Sequence, residues 1–289
     1  MTKDNRWAML CGLRVEAFDD PLWRWERKLD GDRLRVDIDE HNGIALTARS
    51  GADKTAQFPD VVQAIALTAK WDAAPMILDG EIVSANGLSF QEFNQRRMNR
   101  TVDIDRLALE LPASYVAFDV LSAWGKDMEG AVLAARLEVL DQVRPAWCKA
   151  PESSKDGVAL FERANREGWE GVVGKRLDEV YLPHRRNWVK VKRWLEDVFD
   201  VVGYTAGTGM REKLFGALVV RSLDGKLNAE VGTGFDDAEL ARLLKSMVPL
   251  GPVDDRCKYT PVQGFRVKLK FVEVTNAGSL RFPVYLGKE

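Results

Sequence analysis

Residues 23–33 read Trp-Arg-Trp-Glu-Arg-Lys-Leu-Asp-Gly-Asp-Arg. A strand-forming, tryptophan-rich run from Trp23 to Leu29 stops at the turn dipeptide Asp30-Gly31, and a second alternating run, Asp32 to Glu40, begins at once. This places Lys28 at the end of a strand, aimed into a cleft. A solvated surface hairpin reads the same way in isolation, so the segments around it decide between the two.

Moving outward, short apolar runs bounded by turn residues predict strands at 43–50, 75–84, 114–122, 170–176 and 187–194. Helical spacing of apolar residues predicts helices over 58–71, 132–143 and 157–168, the last stopped by Gly168. Strands come in groups rather than in strict βαβ alternation, which predicts an α+β fold of mostly antiparallel sheets. After Trp194 the pattern changes. Strand candidates at 197–207, 214–222 and 226–234, a helix over 236–248 capped by Asp236, and strands at 265–274 and 279–287 follow the order of an OB barrel. Two domains are expected, 1–194 and 195–289, joined by the short charged hinge Trp194-Leu195-Glu196-Asp197.

Five segments form an ordered set: Lys28-Leu29-Asp30-Gly31-Asp32-Arg33; Asp79-Gly80-Glu81; Tyr115-Val116-Ala117-Phe118-Asp119; Glu170-Gly171-Val172-Val173-Gly174-Lys175; and Trp188-Val189-Lys190-Val191-Lys192. In motif and order the chain resembles the ATP-dependent DNA ligases among the lysine nucleotidyltransferases, from about residue 23 to its C-terminus. The resemblance implies a nucleotidyltransferase domain, ATP-grasp-like, followed by the OB barrel. It implies an enzyme in which Lys28 is adenylated by ATP, AMP passes to the 5′-phosphate of nicked double-stranded DNA, and the 3′-hydroxyl displaces it. Glu26 would meet the adenine edge, Glu81 a ribose hydroxyl, and Arg33, Lys175, Lys190 and Lys192 would complete the nucleotide site. Phe118 would stack on adenine, although its place at the end of an apolar strand equally fits a core residue. Glu170, with Glu81, would hold Mg²⁺ or Mn²⁺. Arg49, in Thr-Ala-Arg-Ser-Gly, resembles the arginine of an S-R motif that meets DNA, with Ala48 in place of the serine. Arg281 and Lys288 are candidates for orienting pyrophosphate. The enzymatic alternative is an RNA ligase or capping-type nucleotidyltransferase; a noncatalytic OB-containing single-strand binder is the other class, disfavoured by intact Lys28, Glu170, Lys190 and Lys192. An NAD-dependent ligase is disfavoured because no cysteine zinc site is present and Arg33 stands where those enzymes have a small residue.

The chemistry of a lysine nucleophile is demanding, because at an ordinary pKa near 10.4 only roughly one molecule in a thousand is neutral near pH 7.4. Cations at Lys175, Lys190, Lys192 and Arg33, bound metal and burial would lower that pKa, whereas Glu26, Asp30 and Asp32 oppose them. Lys190 and Lys192 share one strand face, a comb of positive charge for phosphates.

For DNA, three basic groups stand out. Arg96, Arg97 and Arg100 form a cluster, and Arg266, Lys268 and Lys270 alternate with Val267, Leu269 and Phe271 on one OB strand face. The run 181–195 holds Arg185, Arg186 and Arg193 beside the comb, with no acid. Gly203, Gly207 and Gly209 lack phosphate-loop spacing and read as a hairpin turn.

Composition bounds these expectations. In 289 residues, 42 Lys plus Arg stand against 44 Asp plus Glu, so basic faces are local and a bulk polycation is excluded. Three scattered cysteines and two histidines argue against a disulfide framework or a Cys/His zinc site. No run has signal-peptide or membrane-spanning character, so a cytoplasmic protein of bacterial or phage type is expected, with no membrane partner, acting as a monomer. With 27 residues ahead of Lys28, a minimal two-domain form without a separate DNA-binding domain is expected.

Overall fold

The computed structural model describes residues 7–14, 16–89, 91–98, 103–250, 259–275 and 277–289. Arg100 lies outside them. The chain divides into two compact units, 1–192 and 193–289, where a border after 194 was expected.

The first unit contains two five-stranded sheets. One runs Cys11–Arg14, Trp188–Lys192, Gly171–Arg176, Trp23–Arg27 and Ser153–Ser154; the other runs Ile44–Ala48, Asp32–Ile38, Met76–Ser84, Ala113–Ala123 and Lys126–Asp127. Their pairings are antiparallel except that Cys11–Arg14 lies parallel to Trp188–Lys192. The segment around Asp30-Gly31 is therefore not a hairpin: the strands on its two sides belong to different sheets. Their alternation explains why. Trp25 is fully buried with Leu160, Trp169, Val172 and Val191, whereas Leu34, Val36 and Ile38 bury theirs against Phe58, Val61 and Ile65 in a separate core. Two strands committed to two cores cannot fold back on each other, so the chain crosses between sheets at Lys28 to Gly31.

Helices Pro59–Thr68, Leu133–Val143 and Gly157–Glu167 form where the spacing predicts them. Asp156 caps the third by accepting from the Ala159 N–H at 2.8 Å, and Gly168 ends it at φ 74°. Two short helices lack a strong apolar period: Asn94–Met98, where the basic cluster reads as a loop or helix end, and Ile104–Glu110, which is not expected. Gly80 is required by packing, because a Cβ there would stand 2.4 Å from the Tyr115 ring and 2.5 Å from the Val116 carbonyl oxygen. Beside it, Asp119 accepts two hydrogen bonds from Arg136, at 2.8 and 2.9 Å, with both side chains sealed from solvent.

In the second unit the long strand Leu195–Ala206 is shared. One edge pairs with Phe215–Ser222, which continues to Asn228–Val231; the other pairs first with Arg266–Phe271 and then with Thr260–Gln263. Val284–Lys288 extends the sheet beyond Arg266–Phe271. Helix Asp237–Ser246, capped by Asp236 on the Glu239 N–H at 2.7 Å, buries Leu240 and Leu243 against Phe199, Leu218 and Val267. This is the strand–helix order of an OB-like barrel. Among the described residues no helix is long and apolar enough to cross a membrane.

Arg136→Leu leaves the Asp119 carboxylate buried without its partner and should cost about 3–5 kcal/mol. Replacing both with leucine should recover much of that loss. Urea unfolding followed by tryptophan fluorescence checks both outcomes.

Candidate active site

Lys28 is held from three directions. Its backbone N–H donates to the Gly171 carbonyl at 2.9 Å, its ammonium forms an ion pair with Glu170, and it also donates to the Leu29 carbonyl at 3.2 Å. Glu170 reaches this position because Gly171 follows it at φ 145°, where a Cβ would stand 2.0 Å from the Val191 carbonyl oxygen. A glycine is needed at that step of the strand. Gly171 lies in register with Lys192, and the Lys192 ammonium is 3.5 Å from the same Glu170 carboxylate. Lys190, two residues earlier, lines the cleft.

On the other sheet, Glu81 stands in register with Arg33 and accepts the Gly31 N–H at 2.7 Å. Gly31 is fixed in turn, since a Cβ there would meet the Ile82 carbonyl oxygen at 2.0 Å. Burial pushes the Glu81 carboxyl up to about 7, against the pull of Lys28 and the Gly31 N–H. Burial works to lower the Lys28 pKa, but the carboxylates of Glu170 and Glu81 outweigh it, and the net shift is upward. The depressed lysine pKa anticipated from cationic neighbours is thus reversed in the protein alone, where Glu170, Glu81 and Asp30 raise it. Lys192 is shifted down, chiefly by partial burial.

A cleft of about 680 Å³ opens beside Lys28. Its deep wall is a pre-paired polar and aromatic cluster. Glu26 is buried and bonded to the Lys175 ammonium at 2.6 Å. That ammonium lies 4.3 Å from the ring centres of both Phe118 and Trp188. Glu26, Lys175, Phe118 and Trp188 all line the cleft, so Phe118 is at once buried and available to it. Trp188 is the component that sequence reasoning passed over, having treated it as part of a strand; its place between two lysine-bearing segments was the available signal. Arg33 also borders the cleft, but its guanidinium is engaged by Asp79 at 2.9 and 2.6 Å and by the Met9 carbonyl at 2.6 Å, over the Trp188 ring. This bonding ties it to Asp79 and to the backbone of Met9.

Of the basic cluster after Gln95, Arg96 and Arg97 are buried and Arg100 lies outside the described residues. Helix Asn94–Met98 turns Arg96 inward, where its side chain is 1% exposed, bonds the Gln57 carbonyl and reaches Asp60 at 2.6 Å. Arg97 borders the cleft and pairs with Asp32. Neither presents a solvated basic face. The reason is local: Gln57 is buried and bonds the Arg96 and Arg97 carbonyls, drawing the helix against the turn Thr55–Gln57. Arg49 is exposed and lines the cleft; so does Arg186, from the basic run 181–195. In the second unit Arg266 and Lys268 are exposed, each beside an acid, while Arg281 pairs with Glu273 and Lys288 lies over the Phe265 ring.

Among the described residues no three or more His, Cys, Asp or Glu side chains converge as a metal cage. Two carboxylates, Glu170 and Glu81, act on the Lys28 ammonium. Such an oxygen pair fits a hard divalent cation whose remaining ligands are phosphates and water.

The Glu81 shift carries a pH signature. With its folded-state pKa raised from 4.5 to about 7, the protonated form favours the folded state, and this contribution is complete below pH 4.5 and lost as the pH rises toward 7. Glu81→Gln should remove that loss and be relatively more stable at pH 8 than the parent. Carboxyl carbon NMR titration of metal-free protein should show one midpoint near 7, absent from Glu81→Gln.

Comparison with known proteins agrees with this geometry. Residues 13–192 match the ATP dependent DNA ligase domain family, and residues 206–288 match the DNA ligase OB-like domain family. The multifunctional non-homologous end joining DNA repair protein LigD of Mycobacterium tuberculosis H37Rv is 34% identical over 236 residues, covering 79% of this chain and 29% of that protein. A Haloferax volcanii DNA ligase is 34% identical over 271 residues, covering 84% and 45%. The chain thus spans less than half the length of these relatives. The crystal structure of the ligase domain from M. tuberculosis LigD superposes with a TM-score of 0.58 at 30% identity, covering 99% of this chain and 95% of that one. By its matched domains and the motifs that meet around Lys28, the chain belongs to the ATP-dependent DNA ligase family.

Proposed function

We propose that the protein seals nicks in double-stranded DNA with ATP, as a monomer, through a covalent adenylate on Lys28. The observation that carries this is the position of Lys28: its ammonium is paired with Glu170 at the mouth of a cleft whose deep wall is formed by Glu26, Lys175, Phe118 and Trp188. That wall suits a purine. It offers an aromatic ring and a buried carboxylate acceptor for an amino edge. The Lys190 and Lys192 strand supplies charge for the phosphates.

The chemistry follows from these places. Lys28 cannot attack while it is an ammonium, and Glu170 is the adjacent group to take its proton. The neutral amine then forms a bond to the α-phosphorus of ATP as the bond to pyrophosphate breaks. In the second transfer an oxygen of the 5′-phosphate attacks the adenylate phosphorus, the N–P bond breaks and Lys28 regains its proton. The 3′-hydroxyl next gives up its proton to solvent and attacks the 5′-phosphorus, and the bond to AMP breaks. Glu170 and Glu81 would hold Mg²⁺ or Mn²⁺, which when bound supplies positive charge to the phosphates and lowers the lysine pKa. Arg49 and Arg186, on the cleft rim, and Arg266, Lys268 and Lys270, on the OB-like sheet, would meet the DNA backbone.

Incubation with labelled ATP, GTP or NAD and a divalent metal, followed by a denaturing gel, tests the assignment: only ATP should leave a covalent label. Lys28→Ala should lose the label and the sealing of ordinary nicks, yet still seal a nick carrying a preformed 5′-adenylate. Label retained by Lys28→Ala would overturn the role of Lys28, and joining of nicked RNA duplexes in preference to DNA would favour an RNA ligase.

Label formation should also stop on chelation with EDTA and return with Mg²⁺ or Mn²⁺. Glu170→Ala should slow labelling by roughly 10²–10⁴-fold, the usual range for a positioned proton-transfer group, when single-turnover rates are compared at saturating ATP.

A further inference from the structure

The cationic face of the OB-like unit is not a bare basic stripe. The register of Leu195–Ala206 against Arg266–Phe271 sets Asp200 opposite Arg266, Val198 opposite Lys268 and Glu196 opposite Lys270. Directly opposed residues share a sheet face, so two acids are interleaved with three cations. The Lys268 ammonium is 2.7 Å from Glu196, and the Arg266 guanidinium is 3.3 Å from Asp200. The Lys270 ammonium lies 5.0 Å from the Trp194 ring. The side chains of both ion pairs are about half exposed, at 53% and 48% for Lys268 and Glu196 and 57% and 48% for Arg266 and Asp200. On the other side of Lys268 the register partner is Gly287, which leaves that flank without a side chain.

Half-exposed pairs of this kind add little to folding stability. The barrel's stability comes from the opposite face of the same strand, where Val267, Leu269 and Phe271 are buried. The acids therefore matter for what else the cations can hold. We infer that Glu196 and Asp200 are resident competitors for Arg266, Lys268 and Lys270, setting how tightly this face grips a polyanion. A single phosphate gains little by displacing a carboxylate that is tethered beside its cation. A continuous phosphate backbone displaces both acids in one event and releases its own condensed counterions, so the face favours a duplex backbone over small anions and holds it with less than its full charge. This inference rests on the proposal that the face contacts DNA.

Three variants of the 289-residue chain separate the inference from that proposal, each titrated with nicked duplex DNA at several salt concentrations. Arg266→Gln/Lys268→Gln/Lys270→Gln should bind more weakly, with a shallower dependence of log K on log salt. Glu196→Gln/Asp200→Asn should bind roughly 3- to 30-fold tighter, with a slope steeper by up to about two. Glu138→Gln/Asp105→Asn, which neutralises two exposed acids on first-unit helices, gives the effect of net charge alone and should fall well short of that gain. If the triple variant weakens binding but loss of Glu196 and Asp200 brings no gain beyond the charge control, the competitor role is overturned while the face stands. If the triple variant binds as the parent does, the face does not contact DNA and the inference falls with it. Because the informative outcome is a gain of affinity, a folding defect cannot imitate it.

Discussion

The site depends on one crossing. Between Arg27 and Asp32 the chain leaves one sheet for another, and both ends are committed by burial: Trp25 to one core, Leu34 and Val36 to the other. A lysine in that passage cannot be drawn into either sheet's packing. It is left in the gap with one carboxylate from each side, Glu170 beside the Gly171–Arg176 strand and Glu81 within Met76–Ser84. The glycines of these motifs serve the same geometry. Gly31 and Gly171 each lie where a Cβ would strike a neighbouring carbonyl oxygen, so the backbone approaches closely at the points where the two carboxylates are positioned.

The second feature of the site is that its charges are already paired. Lys28 with Glu170, Lys175 with Glu26, Arg33 with Asp79 and Arg97 with Asp32 place an acid beside each of these cations. Buried charge requires a partner, so a cleft rich in lysine and arginine must be rich in carboxylates as well. The consequence at Lys28 is an ammonium favoured over the neutral amine and restrained by Glu170. In the second unit Lys268 with Glu196 and Arg266 with Asp200 repeat the pairing on an exposed face, where water weakens it and exchange of partners becomes inexpensive.

Much of this was legible in the chain itself. The Lys-x-Asp-Gly-x-Arg segment, the Glu-Gly pair before Val172 and the alternating lysines of 188–192 carry their chemistry in residue type and order, and Phe118 and Glu26, singled out through the same resemblance, line the cleft. The strong helices were legible because apolar residues recur along one face and because Asp156, Gly168 and Asp236 mark their ends. Helix Asn94–Met98 was not, since two of its inward residues are arginines. A charge run normally reads as solvent-facing, and only the tertiary partners Gln57, Asp60 and Asp32 make burial of Arg96 and Arg97 tolerable.

The limit between sequence and structure falls where a property belongs to one strand or to several. Alternation, turn chemistry and motif order are local, and they determined by themselves the α+β character, the OB-like tail and the choice of Lys28 as the candidate nucleophile. Pairing of charge is not local. Which acid faces which cation depends on strand register and on segments far apart in the chain, such as Lys28 and Glu170 or Arg33 and Asp79. Tertiary structure alone therefore decided that the acids outweigh the cations at Lys28, that Arg33 pairs with Asp79, and that the basic strand of the OB-like unit carries its own counter-charges. Coulombic energy depends on distance and surroundings, and a linear sequence specifies neither until the chain has folded.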